Sequence, residues 1–179
     1  MKTKLNQSLK LAIASAIVAG SMGLSATSSA ATATSNMAVT TTVATACTIS
    51  AGALSFGSYD PTASADNDAT ATITSTCTAG GGVKITMSEG SNKLTGSTTS
   101  VPKRAMKFGD GEAGETLAYH LYRNTERTTV WGNTADTGEG FTGTGSAVTT
   151  TVYGRIPKSQ AAVAGTFTDT VAVTITYWC

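Results

Sequence analysis

The chain has 179 residues, only 13% of them charged, and its formal charge of +1 comes without any dense Lys/Arg run. That balance argues against a nucleic-acid binder, whose affinity rests on neutralised phosphates. Thr, Ser, Ala and Gly are abundant while Leu, Glu and Lys are scarce beyond the N-terminus, so helix formers are missing and β-branched residues must supply the order.

In chain order, the first element reads as a leader. Lys2, Lys4 and Lys10 precede an apolar core, LAIASAIVAG (11–20), and small residues suited to signal peptidase, SATSSAA (25–31), which places the cut after Ala30. The apolar run is about half the ~20 residues a spanning helix needs, so a membrane anchor is not expected. Removing 30 of the 179 residues leaves 149, enough for one core and too few for two ordinary domains, with a net charge of about −2.

Residues 33–49 alternate, with Ala33, Ser35, Met37, Val39, Thr41, Val43, Thr45, Cys47 and Ile49 on one side. A single run of about 17 residues exceeds the usual 3–10 of a strand. Two jobs follow: roughly 43–50 belongs to the domain's first strand, and 31–42 is a strand delivered elsewhere. The period of two returns in 68–77 (Ala69, Ala71, Ile73, Ser75, Cys77) and in 82–87 (Val83, Ile85, Met87). Further strands are expected at 104–108, 116–123, 147–156 and 166–178, separated by turn clusters such as SADNDA (64–69), SEGSNK (88–93) and TADTGEGFTGTGS (134–146). The stretch SQAAVAG (159–165) is one helical turn at best.

The last strand carries the clearest pattern. Phe167, Asp169, Val171, Val173, Ile175, Tyr177 and Cys179 point one way, and Thr166, Thr168, Thr170, Ala172, Thr174, Thr176 and Trp178 the other. Seven or so one-sided strands predict an all-β, two-sheet antiparallel sandwich, with a small barrel as the alternative. The expected domains are a leader (1–30), an N-terminal extension (31–42) and a sandwich (43–179). The final strand and the extension each need a partner on the hydrogen-bonding edge.

The parity of Cys47 and Cys77 suits a disulfide between neighbouring strands in an oxidising compartment. Cys179 has no obvious mate; a free thiol, an inter-subunit link and an introduced residue are all open. Three distant cysteines and a lone His120 make no metal site, and no cofactor is implied. No nucleophile elbow, phosphate loop or redox C-x-x-C is present, so no catalytic residue is expected. Asp110, Glu112 and Glu115 read as a solvated loop. Phe56 with Tyr59, and Tyr153 with Arg155 and Pro157, suit sheet margins. Arg104, Arg123, Arg127 and Arg155 are expected to be solvated or paired with carboxylates. Asp169, on the apolar side of its strand, requires an Arg or backbone N–H groups beside it.

Several motifs in order carry a resemblance: ACTIS (46–50), LSFGSYDP (54–61), TITSTC (72–77), AYHLYRN (118–124) with Trp131 and Gly132, VYGRIP (152–157) followed by Gln160, and FTDTVAVTITY (167–177). Together they resemble the spore coat protein U domain family, and within it the major subunit of archaic, Csu-type chaperone-usher pili. The resemblance implies an incomplete immunoglobulin-like sandwich lacking one strand, supplied first by a periplasmic chaperone and then by the next subunit's extension. It implies copies of the same chain, an outer-membrane usher and minor and tip subunits as partners, with export through the periplasm to the surface of a Gram-negative cell. Trp178 and Cys179 depart from the family's usual end.

The donor anchors expected on this reading are Met37 and Val39, with Ala33, Ser35 and Thr41 in shallower positions; the accepting edge is Val171, Val173, Ile175 and Tyr177. An extended segment can supply both the hydrogen bonds and the side chains an open groove lacks. Because donor and groove lie at different places on one chain, the contact does not close and propagates into a filament. The function expected is thus a major pilus subunit for attachment and biofilm formation. The alternatives are a secreted coat or matrix protein of the same fold and a monomeric glycan-binding module, the latter using Tyr119, Tyr122, Trp131 and Trp178.

Overall fold

The structure, a computed structural model, describes residues 29–109 and 115–179. The expected leader, apart from its last two residues, and the loop residues Asp110 and Glu112 lie outside that range. The chain divides into two units, Met1–Thr40 and Thr41–Cys179. In the first unit, residues 29–40 form no strand and every side chain is exposed. The alternating run therefore does not start a strand at residue 33.

In the second unit the alternating segments form eight strands among the described residues: β1 (Cys47–Ala51), β2 (Asn67–Cys77), β3 (Gly82–Met87), β4 (Arg104–Lys107), β5 (Thr116–Tyr122), β6 (Glu139–Thr142), β7 (Ala147–Ile156) and β8 (Val173–Trp178). They build two antiparallel sheets, β1-β2-β7-β5-β4 and β6-β3-β8. Inward side chains such as Ile73, Ile85, Leu117, Leu121, Val152 and Ile156 meet between the sheets, as a period of two requires. Trp131 is fully buried among them and donates its indole N–H to the Ile85 carbonyl, 3.0 Å away. Cys47 lies directly opposite Cys77 in the β1–β2 register, and the two form a disulfide. Cys179 is a free, exposed thiol whose Sγ is 2.8 Å from Thr45 Oγ1.

Three expectations need correction. β6 falls inside a segment that reads as a turn cluster, yet it pairs with β3, Phe141 opposite Val83. The cause is close approach: a Cβ on Gly138, just ahead of β6, would sit 2.7 Å from the Ile85 carbonyl oxygen, so the glycine that hides the strand in sequence is what lets the chain reach β3. The stretch 159–165, expected to hold one helical turn at best, makes no helix.

The final strand is shorter than expected. β8 pairs with β3 only from Met87↔Val173 onward, because beyond Met87 the Ser88 carbonyl accepts Arg104 Nε (2.8 Å) while Ser88 Oγ takes the Ala172 N–H (2.9 Å). Upstream, Thr168 bridges to Lys107 at the end of β4. Residues 168–178 thus pass from the edge of the five-stranded sheet to the three-stranded one.

The arginines divide. Arg123 lies 3.6 Å from Glu139, Arg127 3.3 Å from Asp68 and Arg155 2.7 Å from Asp68, all paired as expected. Arg104 is neither solvated nor ion-paired. It is 1% exposed and donates to the carbonyls of Ser88, Met87 and Trp131. Those carbonyls come from the last residue of β3 and from Ser88 and Trp131, which lie outside the strands, and they would otherwise be orphaned in the interior. Burial lowers the Arg104 pKa to about 10, against the pull of Tyr119, Asp169 and Glu89, so the side chain remains a cation near neutrality.

The result is an incomplete immunoglobulin-like sandwich, a curled half-barrel with one edge of β1 and one edge of β8 unpaired among the described residues.

Candidate functional site

The parity of the last segment defines the open edge. Thr168 exchanges both backbone hydrogen bonds with Lys107, Ser91 N–H donates to the Thr170 carbonyl, and Ser88 N–H donates to that of Ala172. The backbone N–H and C=O groups of the even-numbered residues therefore face the body. The backbone groups of Phe167, Asp169 and Val171 have no partner among the described residues. Continued along β8, the same alternation turns the N–H and C=O groups of Val173, Ile175 and Tyr177 away from β3. The side chains of these odd residues point inward until Tyr177, which is 42% exposed.

Beside this edge lies a groove. Its far bank is β1 and the chain after it, where Ile49, Leu54 and Phe56 are only half-buried, and its floor includes Ile73, Met87 and Leu121. Two adjoining hollows of about 510 and 630 Å³ share Leu54, Phe56, Met106 and Phe167. Room for the far bank depends on Gly154 of β7, where a Cβ would come within 2.7 Å of Leu54 and 2.8 Å of the Phe56 ring. Half-buried Val171, Val173 and Ile175 pack against the core from the near bank, so the groove is an apolar trench beside an unsatisfied backbone edge.

One polar feature interrupts the trench. Asp169 Oδ1 accepts from the backbone N–H groups of Ser91 (2.9 Å) and Asn92 (3.2 Å) and from Asn92 Nδ2 (3.2 Å); Oδ2 accepts from the Tyr119 hydroxyl at 2.7 Å. Of the two partners that the sequence leaves open for Asp169, the structure supplies backbone N–H groups and not an arginine salt bridge. The phenol, invisible to strand parity, is the addition. Burial, and then the bond to Asp169, push the Tyr119 pKa up, so the phenol stays a donor.

At one end the groove is pinned. Tyr59 donates to the Pro157 carbonyl (3.1 Å) and accepts from Gln160 N (2.9 Å); the Gln160 amide brackets Ala118, with Oε1 2.8 Å from its N–H and Nε2 2.9 Å from its carbonyl. Gln160 thereby replaces a strand neighbour of β5. Of the four aromatic residues that a glycan-binding face would need, Tyr119 is 4% exposed and Trp131 fully buried, so they form no common surface with Trp178.

The expected donor residues Ala33, Ser35, Met37, Val39 and Thr41 are all exposed, Met37 and Val39 by 87% and 86%. Among the described residues no group of three or more His, Cys, Asp or Glu could hold a metal ion.

The family model for the Spore Coat Protein U domain matches residues 33–174. The chain belongs to the Spore Coat Protein U domain family. Membership places it among structural, non-catalytic domains. The match includes the exposed N-terminal segment and stops within β8, before Trp178 and Cys179. The chain is 37% identical over 178 residues to Protein U of Myxococcus xanthus, covering 94% of this chain and 98% of that one. Among solved structures it is similar to one from the CsuC–CsuE chaperone–tip adhesion subunit pre-assembly complex of the archaic chaperone-usher Csu pili of Acinetobacter baumannii. That likeness has a TM-score of 0.54 at 19% identity and covers 75% of this chain. The chain spans 40% of the length of that structure's chain, and the likeness is one of fold.

Proposed function

We propose that this Spore Coat Protein U domain is the major subunit of a surface pilus of the archaic type, built by strand donation and used for attachment and biofilm formation. The observation that supports this is a pairing of opposites within one chain: an exposed segment that carries Ala33, Met37 and Val39 at alternate positions, and a trench whose edge residues carry unpartnered backbone groups among the described residues. On this reading residues 1–30 direct export, 31–42 are the donor and 43–179 the acceptor domain. A periplasmic chaperone occupies the groove until an outer-membrane usher exchanges it for the next copy's extension, with minor and tip subunits completing the fibre. Deleting residues 31–42 tests it. The shortened chain still accepts a strand but cannot donate one, so it caps fibres of the intact chain and forms none alone. Full-length fibres from the deleted chain would overturn the proposal.

The likeness to Protein U over nearly the whole length, with the family's own description, favours a second reading: a secreted coat protein assembled through the same groove. Electron microscopy of the producing cells separates them, thin surface fibres marking the first and a continuous layer the second.

A further inference from the structure

A uniformly apolar trench would let an alternating strand slip by two residues with little penalty, because each slip returns the same face to the groove. This trench is not uniform. Its near bank reads Phe167, Asp169, Val171, Val173, Ile175, Tyr177, one carboxylate among apolar side chains. The alternate residues of the extension, taken with Val43 just after it and read backwards, are Val43, Thr41, Val39, Met37, Ser35 and Ala33, with hydroxyls in the second and fifth places, the first of them matching the carboxylate.

Resting on the strand-donation reading, we propose that Asp169, held by Tyr119 and the 91–92 backbone, is the register key of the groove. It receives Thr41 of a second copy's extension, which runs antiparallel to residues 167–177.

Direction follows from the edge. The residues with free N–H and C=O groups are also the inward-pointing ones, and in an antiparallel ladder two such residues exchange both bonds directly. Every strand pair among the described residues is antiparallel. The register then sets Val43 beside Phe167, Val39 beside Val171, Met37 beside Val173 and Ala33 beside Tyr177.

The carboxylate has capacity for the extra bond. Among the described residues Oδ1 already accepts three donors, but Oδ2 accepts only the Tyr119 hydroxyl, which leaves one lone pair for the Thr41 hydroxyl. A slip of two residues in either direction puts Val39 or Val43 against the carboxylate. The carboxylate is then covered by a methyl group, and the displaced Thr41 hydroxyl lies among apolar side chains. With residues 33–43 kept along the whole of 167–177, a parallel strand offers a competing polar match, Ser35 beside Asp169, which would set Met37 beside Val171 and Val39 beside Val173.

Cross-linking within fibres of the full chain decides the matter. In a Cys179→Ser background, each chain carries one donor and one acceptor cysteine, and non-reducing gels show covalent ladders wherever two positions face each other. Val39→Cys with Val171→Cys, and Met37→Cys with Val173→Cys, are expected to give ladders. The crossed pairs Met37→Cys with Val171→Cys and Val39→Cys with Val173→Cys should give at least about tenfold less. Ladders mainly from the crossed pairs overturn the register while leaving strand donation intact. Absence of fibres from the unsubstituted chain overturns strand donation itself. The key role is read separately from Thr41→Val in the same backgrounds: a fall of about tenfold in the ratio of matched to crossed ladders supports it, and an unchanged ratio removes Asp169 from that role.

Discussion

Replacing both donor anchors, Met37→Asp and Val39→Asp, perturbs assembly and leaves the sandwich domain untouched. Both side chains are almost wholly exposed in the isolated chain, 87% and 86%, so nearly all their apolar surface is available for burial when a groove receives them. Full burial of such side chains contributes about 1.5–3 kcal/mol each, so the pair supplies about 3–6 kcal/mol. The double variant forfeits that amount and places two carboxylates in an apolar trench with no cation beside them, which adds a further cost. Even the first contribution alone corresponds to a loss of roughly 10²–10⁴-fold in the docking constant. Gel filtration and electron microscopy of the double variant should show monomers or chaperone-bound subunits and no fibres, while circular dichroism of the chaperone complex is unchanged. Normal fibres from this variant would refute the donor assignment. Loss of the domain's own fold would instead show that residues 37 and 39 support this subunit's own domain.

Three further outcomes are expected. Arg104→Met should destabilise the domain by about 3–5 kcal/mol in urea denaturation, because three buried carbonyls lose their donor; a change under 1 kcal/mol would show those carbonyls to be otherwise satisfied. Ser75→Ala should raise stability by about 1 kcal/mol, since its hydroxyl is buried without a hydrogen-bond partner among the described residues, and a lowered denaturation midpoint would contradict this. His120 has its pKa lowered from 6.5, first by burial and then by the Arg104 charge, so the folded state resists the proton that the unfolded chain accepts. Its contribution is therefore complete above pH 6.5 and is lost as pH falls through the depressed folded value. The difference in melting temperature between the parent chain and His120→Asn should narrow from pH 7 to pH 5.5, and a constant difference would count against it.

Much of this architecture is determined by sequence alone where the controlling interaction is local. Alternation along 67–77, 82–87 and 147–156 marks strands because successive side chains point to opposite faces whatever the strand pairs with. The same parity places Cys47 and Cys77 on one face, and it isolates Asp169 as a charge on an apolar side. Tertiary structure decides whatever depends on groups distant in sequence. β6 is concealed because the glycine that permits close approach to β3 also erases a strand's signature. Arg104 reads as a surface cation because the three carbonyls that bury it belong to residues 87, 88 and 131, brought together only when the sheets close. The end of the β3–β8 ladder is likewise set by Ser88, whose carbonyl Arg104 engages and whose hydroxyl binds Ala172. Periodicity shows that residues 167–177 have an inner face. Only the fold shows that the backbone groups on that face's own residues are left unpaired, because hydrogen-bond direction depends on which neighbouring strand is present and which is missing.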